Sequence, residues 1–483
     1  MPRAKNPVLI LHGWSDTSDS FVPLSGFLKA QGFQPVNLFL GDYISMADEV
    51  SIEDAAKAME AAVRRKVADG ELTTPFDLIV HSTGGLVSRA WLSSYYTGVA
   101  PEAVPVQRLV MIAPANFGSR LATIGQTILG RIAKGWGHGF HTGKLMLDGL
   151  ELGSPFQWGL ASRDLFSVDG SSTGTIYGEA RVWPFVLVGS MPYQNGLRRM
   201  VNENGCDGTV RVAAANLNAY GATLDFTTEN APTALGMSSH NNAAAVAQGA
   251  FIPWSHRYAE NIEFPLVVLP HRDHASIVDP TIAGDNENPQ EQKDFQRFLL
   301  GALACPTFDG YRSLQQEWRS YSDRVQDPAT ADDDHHMHMQ INTFVVDEYQ
   351  QPVSDYMIEF LAPNYDQNTD LTGMFHDKVI KDVHKCDQNA ALRTIYIDRQ
   401  RMFELFYGGM AAQQTRELRL SISASAPGDN VNYFIDAFGA KGEFIVHSDQ
   451  EADRWLRRNS THFLKIVIPR VPSEGVFRLK NAP

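Results

Sequence analysis

The feature that most constrains this sequence is an apolar run that ends in a serine and two glycines. Residues 78–86 read Leu-Ile-Val-His-Ser-Thr-Gly-Gly-Leu, and an apolar helical pattern follows. A buried strand that passes through glycines directly into a helix has to turn sharply, and such a turn lifts the hydroxyl group of Ser82 above the end of the strand. The following helix directs its positive end at the same place, which favours developing negative charge. The pattern predicts a nucleophilic serine; a plain Ser-Thr-Gly-Gly turn is the alternative.

Short apolar segments alternate with helical patterns over the first three fifths of the chain. The strand candidates are residues 8–11, 33–38, 76–80, 106–112, 182–188 and 264–269. Several are continuous apolar runs, which are typical of parallel strands covered by helices on both faces. This alternation predicts an α/β fold with an open, mostly parallel sheet.

Two predicted helices, one between these strands and one after the last of them, have clear start signals. Ser51 followed by Asp54 resembles a capping box and opens a helix that extends to about Ala68. Pro289 stands at a helical first position. One apolar face of that second helix carries Phe295, Phe298, Leu299 and Ala302.

Two long segments interrupt the alternation. Residues 115–180 contain Leu121, Ile124, Ile128 and Ile132 at spacings of three and four, which predicts an amphipathic helix. Residues 221–262 are rich in Ala, Asn, Thr and Gly. Loops of this length within a domain are usually functional or disordered. We interpret residues 115–180 as a lid insertion; a helix packed permanently on the sheet is the alternative.

The pattern of apolar and polar residues changes after Cys305. Residues 306–334 are polar and end in three aspartates, so we interpret them as a linker. Residues 335–483 contain alternating apolar and polar segments separated by turn residues, which predicts an antiparallel β-sandwich. His335, His336 and His338 suggest a metal site, but they lack helical ligand spacing and fit the polar linker better. The remaining part, residues 1–305, is the predicted α/β domain.

Candidates for an acid and a base follow later strands, in the chain order Ser, Asp, His that one group of hydrolases uses. Asp207 precedes a glycine turn in the segment Asp-Gly-Thr-Val at residues 207–210. Asp225 is a reserve candidate, and a structural turn is the competing explanation for Asp207. His274 precedes a small residue and an apolar pair, whereas His271, three residues earlier, lacks that context.

Residues 1–305 resemble lipases and esterases of the α/β-hydrolase superfamily. The resemblance rests on His12-Gly13, the His-Ser-Thr-Gly-Gly motif of residues 81–85, the Asp-Gly-Thr-Val motif and His274, in that order. The pairing of the His-Ser-Thr-Gly-Gly motif with the Asp-Gly-Thr-Val motif is similar to the lecithin–cholesterol acyltransferase and inositol-deacylase-like groups. Val80 departs from the pattern, because glycine or alanine is usual there.

The resemblance implies roles for individual residues. Ser82, Asp207 and His274 would form the catalytic triad. The backbone N–H groups of Trp14 and Thr83 would form the oxyanion hole, where removing one donor can cost about 3 kcal/mol of transition-state stabilisation. His81 and Phe117 are candidate substrate contacts.

A serine hydrolase of this kind needs neither a metal ion nor an organic cofactor. The expected substrate is an acyl ester or a lipid, phospholipids included, which a lipase meets at a membrane or micelle surface. An acyltransferase with the same triad and a catalytically inactive lipid-binding or interaction module are the alternatives. Oligomeric state stays open.

Net charge and the absence of targeting signals restrict the expected partners and cellular location. The formal net charge of −14 argues against a nucleic-acid partner, because phosphates reward clustered lysine and arginine. The first residues lack the apolar region of a secretory signal, and we find no apolar run long enough to span a bilayer. We therefore expect a cytoplasmic protein, with export by a route that needs no cleavable signal as the alternative.

Overall fold

The computed structural model describes most of the chain, in separate ranges. These are residues 5–11, 21–38, 47–123, 143–167, 174–194, 199, 202–227, 246–259, 262–282, 289–364, 368–434, 441–473 and 475–476. The chain forms two compact units. The first comprises Met1–Ala219, Ser255–Met337 and Asn459–Thr461, and the second Tyr220–Trp254, His338–Arg458 and His462–Pro483.

A six-stranded sheet organises the first unit, and every neighbouring pair of its strands is parallel. The strands of this unit are β1 (Val8–Leu11), β2 (Pro35–Leu38), β3 (Phe76–His81), β4 (Val106–Ile112), β5 (Phe166–Ser167), β6 (Trp183–Gly189), β10 (Ser255–His256) and β11 (Leu266–Leu269). The order in the sheet is β11-β6-β4-β3-β1-β2, while β5 and β10 form a separate antiparallel pair. All six predicted strands are present, with small differences in their bounds. Every residue of β1, β3 and β6 is buried, which explains why β1, β6 and the centre of β3 are apolar.

Helices accompany this sheet. Their bounds are α1 (Val22–Ala30), α2 (Ile52–Ala68), α3 (Gly84–Tyr95), α4 (Lys144–Leu150), α5 (Pro155–Asp164), α6 (Val212–Ala215), α7 (Pro289–Ala304) and α8 (Phe308–Val325). The predicted capping box is present: the Ser51 hydroxyl accepts from the Asp54 N–H, and the Asp54 carboxylate accepts from the Ser51 N–H. The four apolar residues predicted for one face of α7 are all buried. The first unit therefore has the predicted α/β architecture.

Helix α8 corrects the predicted linker. Residues 306–334 are polar on average, but Phe308, Tyr311, Trp318 and Ser322 form one buried face of a helix capped by Thr307. The Tyr311 hydroxyl donates to the Pro184 carbonyl at 2.9 Å, and the Ser322 hydroxyl accepts from the Val268 N–H at 3.0 Å. Average polarity concealed a narrow apolar stripe, so α8 belongs to the first unit.

The second unit contains the remaining strands. They are β7 (Tyr220–Asp225), β8 (Val246–Gln248), β9 (Ala250–Pro253), β12 (His338–Asp347), β13 (Tyr356–Leu361), β14 (Ile380–Lys385), β15 (Leu392–Asp398), β16 (Leu418–Ala424), β17 (Val431–Tyr433), β18 (Lys441–Val446), β19 (Thr461–Ile468) and β20 (Arg470–Pro472). Its α-helices in the described residues are α9 (Thr369–Met374), α10 (Arg399–Arg401) and α11 (Asp449–Trp455), and π-helical turns follow at Phe375–Val379 and Met402–Tyr407. The sheets have the orders β14-β15-β12-β19-β7-β9, β13-β16-β18-β8 and β17-β20.

The two larger sheets of the second unit share one hydrophobic core, which includes Ile341 and Ile397 from one sheet and Phe360 and Ile422 from the other. The predicted β-sheet region after residue 335 is therefore present. Two details differ from the prediction. Strand β7 pairs with β19, and β8 with β18, in parallel. These two strands and β9 come from the segment at 221–262, so the second unit recruits strands from far earlier in the chain.

Three late residues belong to the first unit. The Thr461 hydroxyl donates to the Ala213 carbonyl at 2.9 Å, and the Asn216 amide donates to the Asn459 carbonyl at 2.7 Å. The side-chain amides of Asn459 and Gln326 exchange hydrogen bonds. The chain therefore returns to the first unit after most of the second has been built.

The predicted lid insertion is only partly described. Residues 143–167 and 174–180 contain α4, α5 and β5. The amphipathic helix predicted around Leu121, Ile124, Ile128 and Ile132 lies largely outside the described residues, so a lid stays a prediction. No helix in the described part of the chain is long and apolar enough to cross a membrane.

Candidate active site

Ser82 lies at the tight turn between β3 and α3. Its φ angle is +54°, which is rare for residues other than glycine. Backbone hydrogen bonds hold this conformation: the Ser82 N–H donates to the Ile112 carbonyl, and the Ser82 carbonyl accepts from the N–H groups of Gly85 and Ala115. Strain of this kind persists where the surrounding structure enforces it, and it concentrates at functional sites.

The glycines after Ser82 are needed for close packing. A Cβ atom at Gly85 would lie 2.7 Å from the Cβ of Pro114. One at Gly84 would lie 3.3 Å from the Leu11 carbonyl oxygen and 3.4 Å from the Cβ of Val80. The branched side chain at position 80 is therefore accommodated because residue 84 has none.

Ser82, His274 and Asp207 form one hydrogen-bonded chain. The Ser82 Oγ lies 3.0 Å from His274 Nε2, and His274 Nδ1 lies 2.8 Å from Asp207 Oδ2. All three residues are at most 7% exposed. These distances suit transfer of a proton from the hydroxyl to the imidazole while the carboxylate holds the opposite edge of the ring.

The loop around Asp207 fixes the carboxylate. Asp207 Oδ1 accepts from the N–H groups of Thr209 (2.9 Å) and Val210 (2.7 Å), which leaves Oδ2 directed at His274. Gly208 has a φ angle of +89°, and a Cβ there would lie 2.5 Å from the Tyr193 ring. The loop therefore needs glycine at position 208, and the backbone N–H groups of residues 209 and 210 hold the Asp207 carboxylate.

Arg272 anchors the loop that carries His274. Its guanidinium group is fully buried and donates to the carbonyls of Ser276 (2.8 Å), Asp279 (2.9 Å) and Ile282 (2.6 Å). The Arg272 carbonyl in turn lies so near Gly189 that a Cβ there would be 1.9 Å from it. Sequence reasoning missed the role of Arg272; a lone arginine between two histidines was the only signal.

The reserve candidates do not join the triad. The His271 N–H donates to the Glu291 carboxylate at 2.9 Å, and its Nε2 lies 4.0 Å from the other carboxylate oxygen. Burial raises the pKa of Glu291. Asp225 belongs to the second unit and accepts from Thr227.

Of the two predicted oxyanion donors, only Thr83 lies within the described residues. Thr83 is buried at the start of α3, directly after Ser82, where its N–H belongs to the first turn of the helix. Trp14, together with His12 and Gly13, lies outside the described residues.

The two predicted substrate contacts are both buried. His81 is 1% exposed, and its Nε2 lies 3.2 Å from the His274 carbonyl oxygen. Phe117 is 0% exposed, its N–H donates to the Ala214 carbonyl, and the Arg89 guanidinium lies 5.0 Å from its ring centre. Contact of either side chain with a substrate stays a prediction.

A buried ion pair between Arg89 and Asp164 holds helix α3 in place. Arg89 donates to both carboxylate oxygens of Asp164 at 2.8 and 3.0 Å, and to the Asn116 carbonyl at 2.6 Å. The Tyr177 hydroxyl also donates to Asp164. Such a bidentate pair is rigid as well as strong. The sequence signal for this pair was an arginine as the one charged residue of the helix Gly84–Tyr95.

The histidines interpreted as linker residues also have partners. His335 Nδ1 lies 2.9 Å from the Ser190 hydroxyl, and burial lowers the pKa of this imidazole. His336 Nε2 lies 3.5 Å from Asp333. Within the described ranges, no group of three or more His, Cys, Asp or Glu side chains could hold a metal ion. Burial also raises the pKa of the Cys206 thiol, next to Asp207, well above its usual value, which disfavours the reactive thiolate.

No protein-family model matches the chain. Among solved structures, phospholipase PlaB from Legionella pneumophila is 24% identical, with 98% of this chain and 96% of that chain covered and a TM-score of 0.74. The same phospholipase in complex with thio-NAD is 23% identical over the same shares, with a TM-score of 0.75. The Bacillus licheniformis lipase BlEst2 is 15% identical, covers 58% of this chain and 89% of its own, and has a TM-score of 0.35.

The likeness to PlaB extends over nearly the whole chain and therefore concerns both units. At 24% identity it shows the fold. It confirms the α/β-hydrolase fold predicted from the order of the sequence motifs, with additional β-sheets in the later part of the chain.

Proposed function

We propose that this chain is a serine carboxylic ester hydrolase that cleaves acyl lipids, phospholipids included. The observation that carries the proposal is the hydrogen-bonded chain from Ser82 through His274 to Asp207, at a strained turn on an α/β-hydrolase fold. The name of PlaB, a phospholipase, supports the phospholipid part.

Acylation would begin with attack of the Ser82 oxygen on the ester carbonyl carbon. His274 Nε2 takes the hydroxyl proton as the new C–O bond forms, and Asp207 supports the charge that develops on the imidazole. The negative charge on the carbonyl oxygen would be stabilised by the N–H groups of Thr83 and Trp14. The imidazolium then donates its proton to the leaving alcohol, and an acyl-enzyme remains.

Deacylation would repeat these steps with water. His274 removes a proton from water as the oxygen attacks the acyl carbon, and then returns a proton to the Ser82 oxygen as the fatty acid leaves. The chain's own residues supply each proton transfer, because one imidazole acts first as base and then as acid.

Turnover of an ester panel by the wild type and Ser82→Ala tests the proposal. The panel contains soluble esters of rising chain length and phosphatidylcholine vesicles. We expect turnover to fall by at least about 10³-fold in the variant, because a triad acts as one unit. Ser93→Ala is the matched control: this serine is buried on the same helix and donates to the Ala90 carbonyl. It should retain activity within about twofold.

The same panel has outcomes that contradict the proposal. Equal turnover in Ser82→Ala and wild type would place the chemistry elsewhere, and no turnover by either would favour an inactive binding module. Products formed with an added alcohol in place of water would indicate an acyltransferase. An optimum beyond about eight acyl carbons would support an apolar pocket under residues 115–180, since each buried CH₂ contributes about 0.8 kcal/mol.

A further inference from the structure

We propose that His81 is a positioning residue that sets the distance between the base and the nucleophile. This inference rests on the proposed function of Ser82 and His274. His81 is the last residue of β3 and is bonded directly to Ser82. Its Nε2 lies 3.2 Å from the His274 carbonyl oxygen, and the two ring centres are 4.7 Å apart with an interplanar angle of 38°.

The backbone of His274 is held on both sides by the other two triad positions. Its N–H donates to the Asp207 carbonyl at 2.9 Å. Its carbonyl oxygen faces His81, which is adjacent to Ser82. A carbonyl oxygen can only accept, so Nε2 of His81 carries the proton in this contact. The His274 N–H thereby connects its loop to the Asp207 loop, and the His274 carbonyl connects the same loop to strand β3, which ends next to Ser82.

The bond between His81 and Ser82 makes this tie effective. Residue 81 ends a fully buried strand with parallel neighbours on both sides, so its position is fixed by the sheet. His274, in contrast, lies on an irregular loop between β11 and a short turn at Ser276–Val278. A displacement of about 1 Å between reacting groups can cost about 10²-fold in rate. His81 connects the irregular segment to the rigid one next to the reacting hydroxyl.

Positioning fits His81 better than substrate contact. The side chain is almost fully buried, and the Phe21 ring lies 5.8 Å from its ring centre. With the His274 ring at 4.7 Å as well, two ring contacts and one backbone contact already surround the imidazole. A buried group that contacts the base should affect kcat and leave KM nearly unchanged.

Three variants and one control test the inference with a soluble p-nitrophenyl ester. His81→Gln keeps a long side chain with an N–H donor, while His81→Phe keeps a ring and loses the donor. His81→Asn is smaller than histidine, so it avoids overpacking, but its amide does not reach the carbonyl. His256→Phe is the control, because His256 Nε2 likewise lies 3.0 Å from a backbone carbonyl, that of Ala219, and its ring packs on Phe166 and Tyr258.

We expect kcat to fall about 10- to 100-fold in His81→Phe and His81→Asn, with KM within about twofold of the wild type. His81→Gln should recover most of the loss, and His256→Phe should keep the wild-type kcat. Rates are referred to the concentration of active sites titrated with a fluorophosphonate, so that unfolded protein is not counted. The rate of that labelling should fall in parallel with kcat.

Several results would overturn the inference. These are a wild-type kcat in His81→Phe or His81→Asn, equal losses in His81→Gln and His81→Phe, and a change confined to KM. Turnover that survives Ser82→Ala would instead remove the proposed function, so the two failures are distinguishable. If His81→Phe does not fold, the kcat values of His81→Gln and His81→Asn still compare a side chain whose N–H reaches the His274 carbonyl with one whose N–H does not.

Discussion

The two units contain almost the same aspartate loop, with different partners. In the first unit, one oxygen of Asp207 accepts two backbone N–H groups and the other faces the His274 imidazole at 2.8 Å. In the second unit, Asp347 Oδ1 accepts the N–H groups of Tyr349 and Gln351, both at 2.9 Å, and Oδ2 accepts from Arg470 at 2.8 Å. Both carboxylates are 0% exposed.

The difference lies in the third partner. An imidazole can take and release a proton near neutral pH, whereas a guanidinium group stays charged throughout that range. The Asp207 loop can therefore serve chemistry, while the Asp347 loop can only stabilise structure. A turn aspartate in a sequence says nothing about which partner it will meet, so a purely structural turn was a fair alternative for Asp207.

The same substitution in both loops should give the largest contrast. Asp207→Asn should lower kcat by about 10³- to 10⁴-fold, because an amide can hold the imidazole in the wrong tautomer and cannot support its charge. Asp347→Asn should leave kcat within about twofold and lower the free energy of unfolding by about 1–3 kcal/mol, since the partly exposed Arg470 loses its buried partner. Steady-state kinetics and urea denaturation measure the two effects.

The contrast fails if the two variants behave alike. A large loss of kcat in Asp347→Asn, with the protein still folded, would mean that the second unit contributes directly to turnover. Nearly full activity in Asp207→Asn would remove Asp207 from the triad.

Close-approach glycines should give an intermediate contrast. A Cβ at Gly189 would lie 1.9 Å from the Arg272 carbonyl oxygen, whereas a Cβ at Gly442 in the second unit would lie 2.5 Å from the Phe226 ring. Arg272 is two residues from His274, so a shift of the Arg272 backbone would displace the His274 imidazole as well. Gly189→Ala should therefore lower kcat about 10- to 100-fold, and Gly442→Ala should lower only stability, by about 1–3 kcal/mol.

Both glycine variants are measured for kcat and for thermal midpoint. Wild-type kcat in a folded Gly189→Ala protein would show that the His274 loop tolerates displacement. That result would also weaken the case for His81 as a positioning residue.

A pH effect in the second unit should change stability only, without a change in kcat. Burial lowers the pKa of His462 to about 4, and its Nε2 accepts from the Arg457 N–H. Above pH 6.5 the group is neutral in both states. Between pH 6.5 and 4 only the unfolded chain binds the proton, so the free energy of unfolding falls as the pH is lowered, by at most about 3 kcal/mol.

His462→Gln should reduce this pH dependence, because glutamine cannot bind a proton in that range. The quantity to compare is the difference in the free energy of unfolding between pH 7 and pH 4.5 for the variant and the wild type. An equal difference in the two proteins would mean that His462 takes up its proton in the folded state at its ordinary pKa.

The strands of the first unit's sheet were predictable, whereas its buried arginines and its last helix were not. Buried parallel strands are continuous apolar runs, so all six strands of its sheet could be found from residue types alone. The positions of Ser82, Asp207 and His274 followed from strand ends and glycine turns, and the structure brings these three side chains together. Local sequence was informative here because each loop needs particular residues.

Three kinds of feature could not be found in this way. The helix at Phe308–Val325 has only a narrow apolar stripe, with Phe308, Tyr311 and Trp318 among polar neighbours, so its mean polarity suggested a linker. The pairing of β7 with β19 joins residues more than two hundred positions apart, and no local pattern encodes such a register. Arg272 and Arg89 were missed because buried arginines show their purpose only through the carbonyls and carboxylates that surround them.

The late return of Asn459–Thr461 to the first unit has a consequence for biosynthesis. A ribosome adds about 5–20 residues per second, so His274 precedes Thr461 by roughly ten to forty seconds. During that interval the nascent chain already contains Ser82, Asp207 and His274, but Ala213 and Asn216 still lack their partners. We expect a partly translated chain to be enzymatically silent, so that the proposed lipid-cleaving activity would arise only after Asn459–Thr461 have been made.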